Sequence, residues 1–417
     1  MAAMAAGCAF QFGMPFLIPA LRDEGLSLAE AGLLTSAPVA GLLATLVAWG
    51  AAADRWGERG VLTIGLTATG LILSATALVN GTAPLAVCLV AAGAASAAVN
   101  ASSGRLILGW FGAHERGLAM GLRQTALPLG VGLAALTLPS MTRPGALVFL
   151  GSLALAAAVL VALVVRDSPS TTRSAPGEGT PYRTPVLWRI HAASALLVVP
   201  QATVATFALV FLVDVHGWQP ASAGRLLALG QVGGALARLV AGWWSDRLVA
   251  ARVPDRVPPD RQPDRVPPDR QPDRVPPGGE ADRVAPGRVP DRAPLGREAD
   301  RLGGRLRPMR LIALAIAAVV AGLALGAHPA VLLAAAVLTV SPNGLAYTAV
   351  AERAGPAWAG RALGIQNTAQ NLAGVATVPA MAALIAATGY RPAFAAAAVF
   401  PLAAALLTPV SRWRRLF

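Results

Sequence analysis

The sequence predicts an all-α membrane protein, with twelve transmembrane helices in two six-helix, pseudo-symmetric bundles. Three observations carry that prediction. Hydrophobic residues make up 55% of the 417 and charged residues only 13%, against about 25% charged in an ordinary soluble domain. Long apolar stretches alternate with short arginine-bearing connectors, as in polytopic helical membrane proteins. Motifs of the first half also recur in the second.

Twelve stretches come close to the ~20 residues that cross ~30 Å of hydrocarbon as helix. They are Met4–Leu21, Ala31–Gly50, Val61–Val79, Ala83–Ile107, Gly117–Pro139, Ala146–Val165, Ile190–Val213, Leu226–Trp244, Leu311–Ala327, Pro329–Val350, Ala362–Ala387 and Pro392–Val410. They are rich in Ala and Gly, which lets helix backbones approach closely. The first lacks a basic leader and a small-residue cleavage pattern, so it reads as a retained helix and not a signal peptide. It begins almost at Met1; either the usual cytoplasmic lead-in is absent or the assigned start is late.

Arginine placement sets the expected orientation. Alternate connectors carry Arg55 and Arg59, Arg105 and Arg116, then Arg166, Arg173, Arg183 and Arg189; the tail adds Arg412, Arg414 and Arg415. The opposite connectors offer little beyond Arg22, Arg143 and Arg391. Both termini are therefore expected in the cytoplasm, with the protein in the cytoplasmic membrane. The expected organisation is an N-terminal bundle over 1–166, a Pro/Ser/Thr-rich cytoplasmic linker over 167–187, a C-terminal bundle over 188–411 and a basic tail over 412–417. Within the second bundle, 248–307 contains "VPPDRQPDR" twice, at Val257–Arg265 and Val266–Arg274. Proline there blocks regular structure and little apolar surface is available to bury, so a disordered cytoplasmic insert is expected. Repeat expansion tolerated in a loop explains it more simply than partner docking does.

Composition excludes several classes. The net charge of +13 does not point to nucleic acid, because the arginines flank apolar segments. The chain has no lysine, which rules out a Walker A phosphate loop and a pyridoxal Schiff base. Cys8 and Cys88 lie in apolar segments as small hydrophobes, not as a disulfide framework. His114, His191, His216 and His328 show no ligand spacing. No nucleophile–base pair or metal motif suggests an enzyme, and no cofactor is expected.

The halves repeat each other. "GAAADR" (Gly50–Arg55) returns 192 positions later as "GWWSDR" (Gly242–Arg247). "GLAMGLRQTA" (Gly117–Ala126) returns 243 positions later as "GRALGIQNTA" (Gly360–Ala369), and at that offset Asn100 falls on Asn343. The two offsets differ by about the length of the proline-rich insert. Six-span halves related by an axis along the membrane normal form a transporter architecture, with substrate held near the midplane between them.

"GAAADRWGERG" resembles the signature loop of the major facilitator superfamily, Gly-x-x-x-Asp-Arg-x-Gly-Arg/Lys-Arg/Lys between spans two and three. Gly50, Asp54, Arg55, Gly57 and Arg59 match, while Glu58 stands where a basic residue is usual. "WFGAHERGLAMG" resembles the family's loop before span five; "SGRLILGWF" and "GLRQTALPLG" resemble bacterial permeases of the cyanate-permease-like kind. The resemblance implies the major-facilitator-type fold and alternating access, and it says little of substrate. A carboxylate at Asp54 can accept from a neighbouring helix N-terminus when the halves close on that side, which is what a gate requires. Asp246 and Arg247 form the second copy. There the expected glycine is missing, because the insert begins.

Arg123 carries the substrate argument. It lies six residues past Gly117, about 9 Å into the bilayer. Snorkelling toward cytoplasmic phosphates is the bland reading; a guanidinium facing a central cavity is the functional one. Gln124 follows it, its repeat counterpart is Gln366–Asn367, and no acidic residue lies in mid-span, since Glu30, Asp214 and Glu352 sit at span ends. A guanidinium among amides suits a small anion or polar neutral molecule. Arg238 is a second candidate, closer to the cytoplasmic end. Gln11 in "FQFGMPFLIP", Gln201 in "PQAT", Asn100 and Asn343 in "SPNG" complete the cavity candidates. For each of these amides an interhelical hydrogen bond competes with a ligand contact.

These residues predict a monomeric secondary transporter moving a small anionic or polar solute across the bilayer. Proton coupling is common in the family, yet no mid-membrane carboxylate is present to carry a proton. An efflux pump for apolar drugs or metabolites, and a non-transporting sensor using the long loop as its output, are the alternatives.

Overall fold

The computed structural model describes residues 1–167, 180–252, 295–326, 328 and 330–410. Among the described residues every regular element is helical. Span one is Ala2–Asp23, broken by a 3-10 turn at Met14–Leu17 where Pro15 and Pro19 remove two backbone donors. Spans two to four are Leu28–Trp56, Glu58–Thr76 and Thr82–Trp110. Span five comes in two pieces, Arg116–Gln124 and Ala126–Thr137, and span six is Arg143–Val164. Spans seven to nine are Val186–His216, Pro220–Arg252 and Leu295–Ala324; span ten is Val331–Val340 with Asn343–Ala354; spans eleven and twelve are Ala359–Thr388 and Tyr390–Leu407. Eleven of these are long and apolar enough to cross a membrane; the twelfth, span five, is divided at Thr125 and carries Arg123 and Gln124.

That break has a local cause. Pro128 has no N–H for the Gln124 carbonyl, and the chain turns at Thr125. The piece Arg116–Gln124 packs on span eight, whereas Ala126–Thr137 packs on span one. The two bundles therefore meet at the end bearing the arginine-rich connectors and diverge beyond it. Small residues permit the tightest crossings: a Cβ on Gly93 of span four would lie 2.0 Å from the Pro38 carbonyl of span two.

The structure corrects the expected disordered insert at both edges. Span eight continues to Arg252 and span nine begins at Leu295, so 248–252 and 295–307 are helical. "LVAAR" and "LGREADRLGGRLR" lack the repeat's prolines and are rich in helix formers. The repeat copies Val257–Arg265 and Val266–Arg274, linker residues 168–179 and the tail 412–417 lie outside the described residues.

Candidate functional site: a crossed seam below a polar cavity

The seam is built twice, by the same chemistry. A helix N-terminus leaves its first N–H groups without intrahelical acceptors. In span eleven these belong to Gly360 and Arg361, and Asp54 at the end of span two accepts from both, at 2.8 and 3.0 Å. In span five they belong to Gly117 and Leu118, and Asp246 of span eight accepts from both, at 2.9 and 2.8 Å. Each bundle thus holds the helix start of the other. The close approach needs glycine on both sides. A Cβ on Gly50 would lie 2.3 Å from the Gly360 carbonyl, and one on Gly242 would lie 2.2 Å from the Gly117 carbonyl.

Arginines brace both carboxylates. Arg105 of span four is buried, 3.4 Å from Asp54 and 2.8 Å from Glu58, and donates to the Ala53 and Pro356 carbonyls. Glu58, the departure from the signature loop, is the buried acid that anchors this arginine. In the second bundle Arg305, fully buried, pairs with Asp246 and, at 3.0 Å, with Glu352. Arg305 was hidden within the expected insert.

The other signature residues lie off the seam. Gly57 turns the chain at φ 87°, a conformation that favours glycine. The Arg59 backbone N–H and side chain bond Asp167 and the Ala162 carbonyl of its own bundle. Arg55 and Arg247 are exposed and lie over Trp56 and Trp243, so neither joins the two bundles.

Above the seam lies a cavity of about 400 Å³ between the halves. Arg123, Gln124, Gln11, Asn100, Gln201, Asn343 and Asn367 all line it. Gln366 does not: it is fully buried and faces span seven, bonded to Ser194 and His191. One residue of helix is a rotation of about 100°, which carries Gln366 off the face that Asn367, Gln370 and Asn371 share. Sequence reading missed Gln370, Asn371 and Tyr347; the i, i+3, i+4 spacing of Asn367, Gln370 and Asn371 was the available signal.

Arg123 is buried and held by neutral acceptors. Its Nε donates to Ser103 Oγ at 2.8 Å, its Nη2 to the Asn100 carbonyl at 3.1 Å and its Nη1 to Gln124 Oε1 at 3.2 Å. The guanidinium sits over the Tyr347 ring, 5.5 Å from its centre. Among the described residues no carboxylate pairs with it, so its charge faces the cavity uncompensated. Around it the amides pair across helices: Asn100 with Gln11 at 3.3 Å, Asn343 with Gln201 at 3.1 Å. Tyr347 Oη lies 2.5 Å from Asn367 Oδ1 and 2.8 Å from Gln370 Oε1.

Arg238 is not a cavity residue. It is buried in the seam and reaches the Gln124 carbonyl of span five and the Val340 carbonyl of span ten, each at 3.4 Å. Gln124 O is the acceptor that Pro128 deprives of a partner, and Val340 precedes the break at Ser341–Pro342. The arginine therefore satisfies the backbone at two helix breaks.

Two six-helix halves closed at one end around a central polar cavity define a secondary membrane transporter. Comparison with known proteins agrees. The family model for the Major Facilitator Superfamily matches residues 1–254. An uncharacterised MFS-type transporter of Mycobacterium tuberculosis H37Rv, Rv2994, is 39% identical over 412 residues, covering 95% of this chain and 80% of that protein. Its counterpart MT3072 from strain CDC 1551 matches to the same extent. The chain belongs to the Major Facilitator Superfamily. The names of these relatives speak to the superfamily, not to a cyanate-permease-like branch. Among solved structures, the human organic anion transporter MFSD10 superposes with a TM-score of 0.69 at 13% identity, covering 98% of this chain and 97% of that one. The Escherichia coli fucose:proton symporter FucP superposes with 0.68 at 13%, covering 98% and 96%. At such identities these two share the fold.

Proposed function

We propose that this transporter carries a small anion, or a polar solute with a carboxylate-like group, across the cytoplasmic membrane by alternating access. The observation that supports this reading is Arg123: a buried guanidinium on the cavity wall whose acceptors are all neutral. A buried charge without a counter-ion is costly, and an anionic ligand would relieve that cost by bidentate pairing. The positive-inside pattern supports a cytoplasmic position for the crossed seam, and with it an outward-open reading of this conformation. A cavity for organic cations would call for a carboxylate, and among the described residues none lines this one.

The test is ligand-dependent thermal stabilisation of the purified protein across nitrate, phosphate and small mono- and dicarboxylates. At least one should stabilise the wild type. Arg123→Gln should lose at least about tenfold in affinity, the loss of a charge-assisted pair, while remaining folded. Equal binding by Arg123→Gln would overturn the proposal. Stabilisation only by apolar drugs would favour the efflux reading.

A further inference from the structure

A chain of hydrogen bonds leaves the cavity wall and ends on a histidine. Tyr347, under the Arg123 guanidinium, bonds Gln370 at 2.8 Å; Gln370 Nε2 donates to Ser194 Oγ at 2.7 Å; Gln366 Nε2 donates to the same oxygen at 2.5 Å. Gln366 Oε1 lies 2.6 Å from His191 Nδ1, and His191 Nε2 lies 3.0 Å from Tyr182 Oη. Tyr182 is half-buried in the linker, at the arginine-rich end.

The orientation of the Gln366 amide implies the tautomer. Gln366 gives its N–H to Ser194, so its carbonyl oxygen faces His191 and must accept from Nδ1–H. Nε2 is then the basic nitrogen and accepts from the Tyr182 hydroxyl. Burial pushes the Tyr182 phenol up, so it stays a neutral donor. Among the described residues no carboxylate bonds or pairs with His191 or Tyr182. Trp188 of its own helix stands edge-on to its ring, and Tyr182 stacks on it while touching Trp358. The charged groups on neighbouring elements are each engaged: Arg189 on the Leu407 carbonyl, Arg353 on Thr184, and Arg361 over Trp358 and 4.0 Å from Asp54.

We propose that His191 is a proton-binding site linked to the transport cavity through this network. The proton adds to the Nε2 lone pair, and Tyr182 turns its hydroxyl over to accept from the new N–H. The Nδ1–H bond to Gln366 then becomes charge-assisted and tightens, which passes along Ser194 and Gln370 to Tyr347. The added positive charge favours an anion at Arg123, and by linkage the anion favours the proton. This supplies a proton site where the sequence puts no carboxylate in mid-span. The electrostatic half of the proposal rests on the anion reading above; the network half does not.

The first experiment uses protons alone. The chain has three tyrosines, so incorporated 3-fluorotyrosine gives three fluorine signals, assigned by single Tyr→Phe variants. Between about pH 5 and about pH 8, the range in which histidine titrates, the Tyr182 and Tyr347 signals should move with one shared midpoint. In His191→Gln both should stay still. A stationary Tyr347 signal in the wild type, or the same movement in His191→Gln, would overturn the proposal. The second experiment repeats the anion panel at both ends of that range. Binding should tighten about tenfold at the acid end, and His191→Gln should still bind but without the pH dependence. Binding that varies equally with pH in that variant would refute the linkage. If no anion binds at any pH, the cavity reading fails while the fluorine result still decides the proton site.

Discussion

Glu58 and Arg305 stand at corresponding places, at the seam ends of spans three and nine, and carry opposite charge. Glu58 pairs with Arg105 of span four; Arg305 pairs with Glu352 of span ten. The third and fourth spans of the two halves therefore share one ion-pair geometry with the charges exchanged. Breaking one partner strands a buried charge, which typically costs about 3–5 kcal/mol. Arg105→Gln should lower the unfolding temperature clearly. Arg105→Glu combined with Glu58→Arg, which copies the arrangement of the second half, should recover most of that loss. A double variant no more stable than the worse single one would contradict the exchange.

Asp54→Ala removes two charge-assisted hydrogen bonds across the seam. With a net effect of about 2 kcal/mol, the closed-to-open ratio should fall roughly thirtyfold. Spin labels at Leu78→Cys and Leu325→Cys, both exposed and at the end opposite the seam, should report a shorter distance. Asp246→Ala should act in the same direction.

Gly50→Leu should leave both bundles folded and stop transport. Even a Cβ there would lie 2.3 Å from a backbone carbonyl, and backbone cannot yield as a side chain can. The same measurement on Gly60→Leu, where nothing lies within 4 Å, is the control and should show activity near that of the wild type.

Tyr347→Phe keeps the ring beneath Arg123 and loses the hydroxyl. Anion affinity should fall about fivefold, the worth of one hydrogen bond. Tyr347→Leu removes the cation–π contact as well and should fall further. Both are read from ligand-dependent thermal stabilisation.

Deleting Val257–Arg274 should leave transport in reconstituted vesicles within about twofold, since shortening a long connection between two ordered ends changes its closure entropy little. Loss of transport would assign this segment a functional role.

Hydropathy made the twelve spans legible, because ~20 apolar residues have few other fates in a chain this poor in charge. The repeat made the seam legible in part. Asp54 and Asp246 were found as a pair, but the arginines that brace them were not. Arg105 read as an ordinary connector charge, and Arg305 read as part of a proline-rich insert. In both cases the local composition matched a solvated residue, and only tertiary packing buries it. Gln366 failed for a different reason. The internal repeat aligns it with Arg123, yet one step along a helix changes the face it presents, and alignment alone does not fix rotation.

Across the seam, the hydrogen bonds that both aspartates accept come from main-chain N–H groups of the facing helix. Such a clasp recognises a shape, the bare first turn of a helix, whatever residues decorate it. The turns it holds are free to drift in sequence so long as their glycines stay, and a partner helix from a distant cousin would be held as readily as the native one.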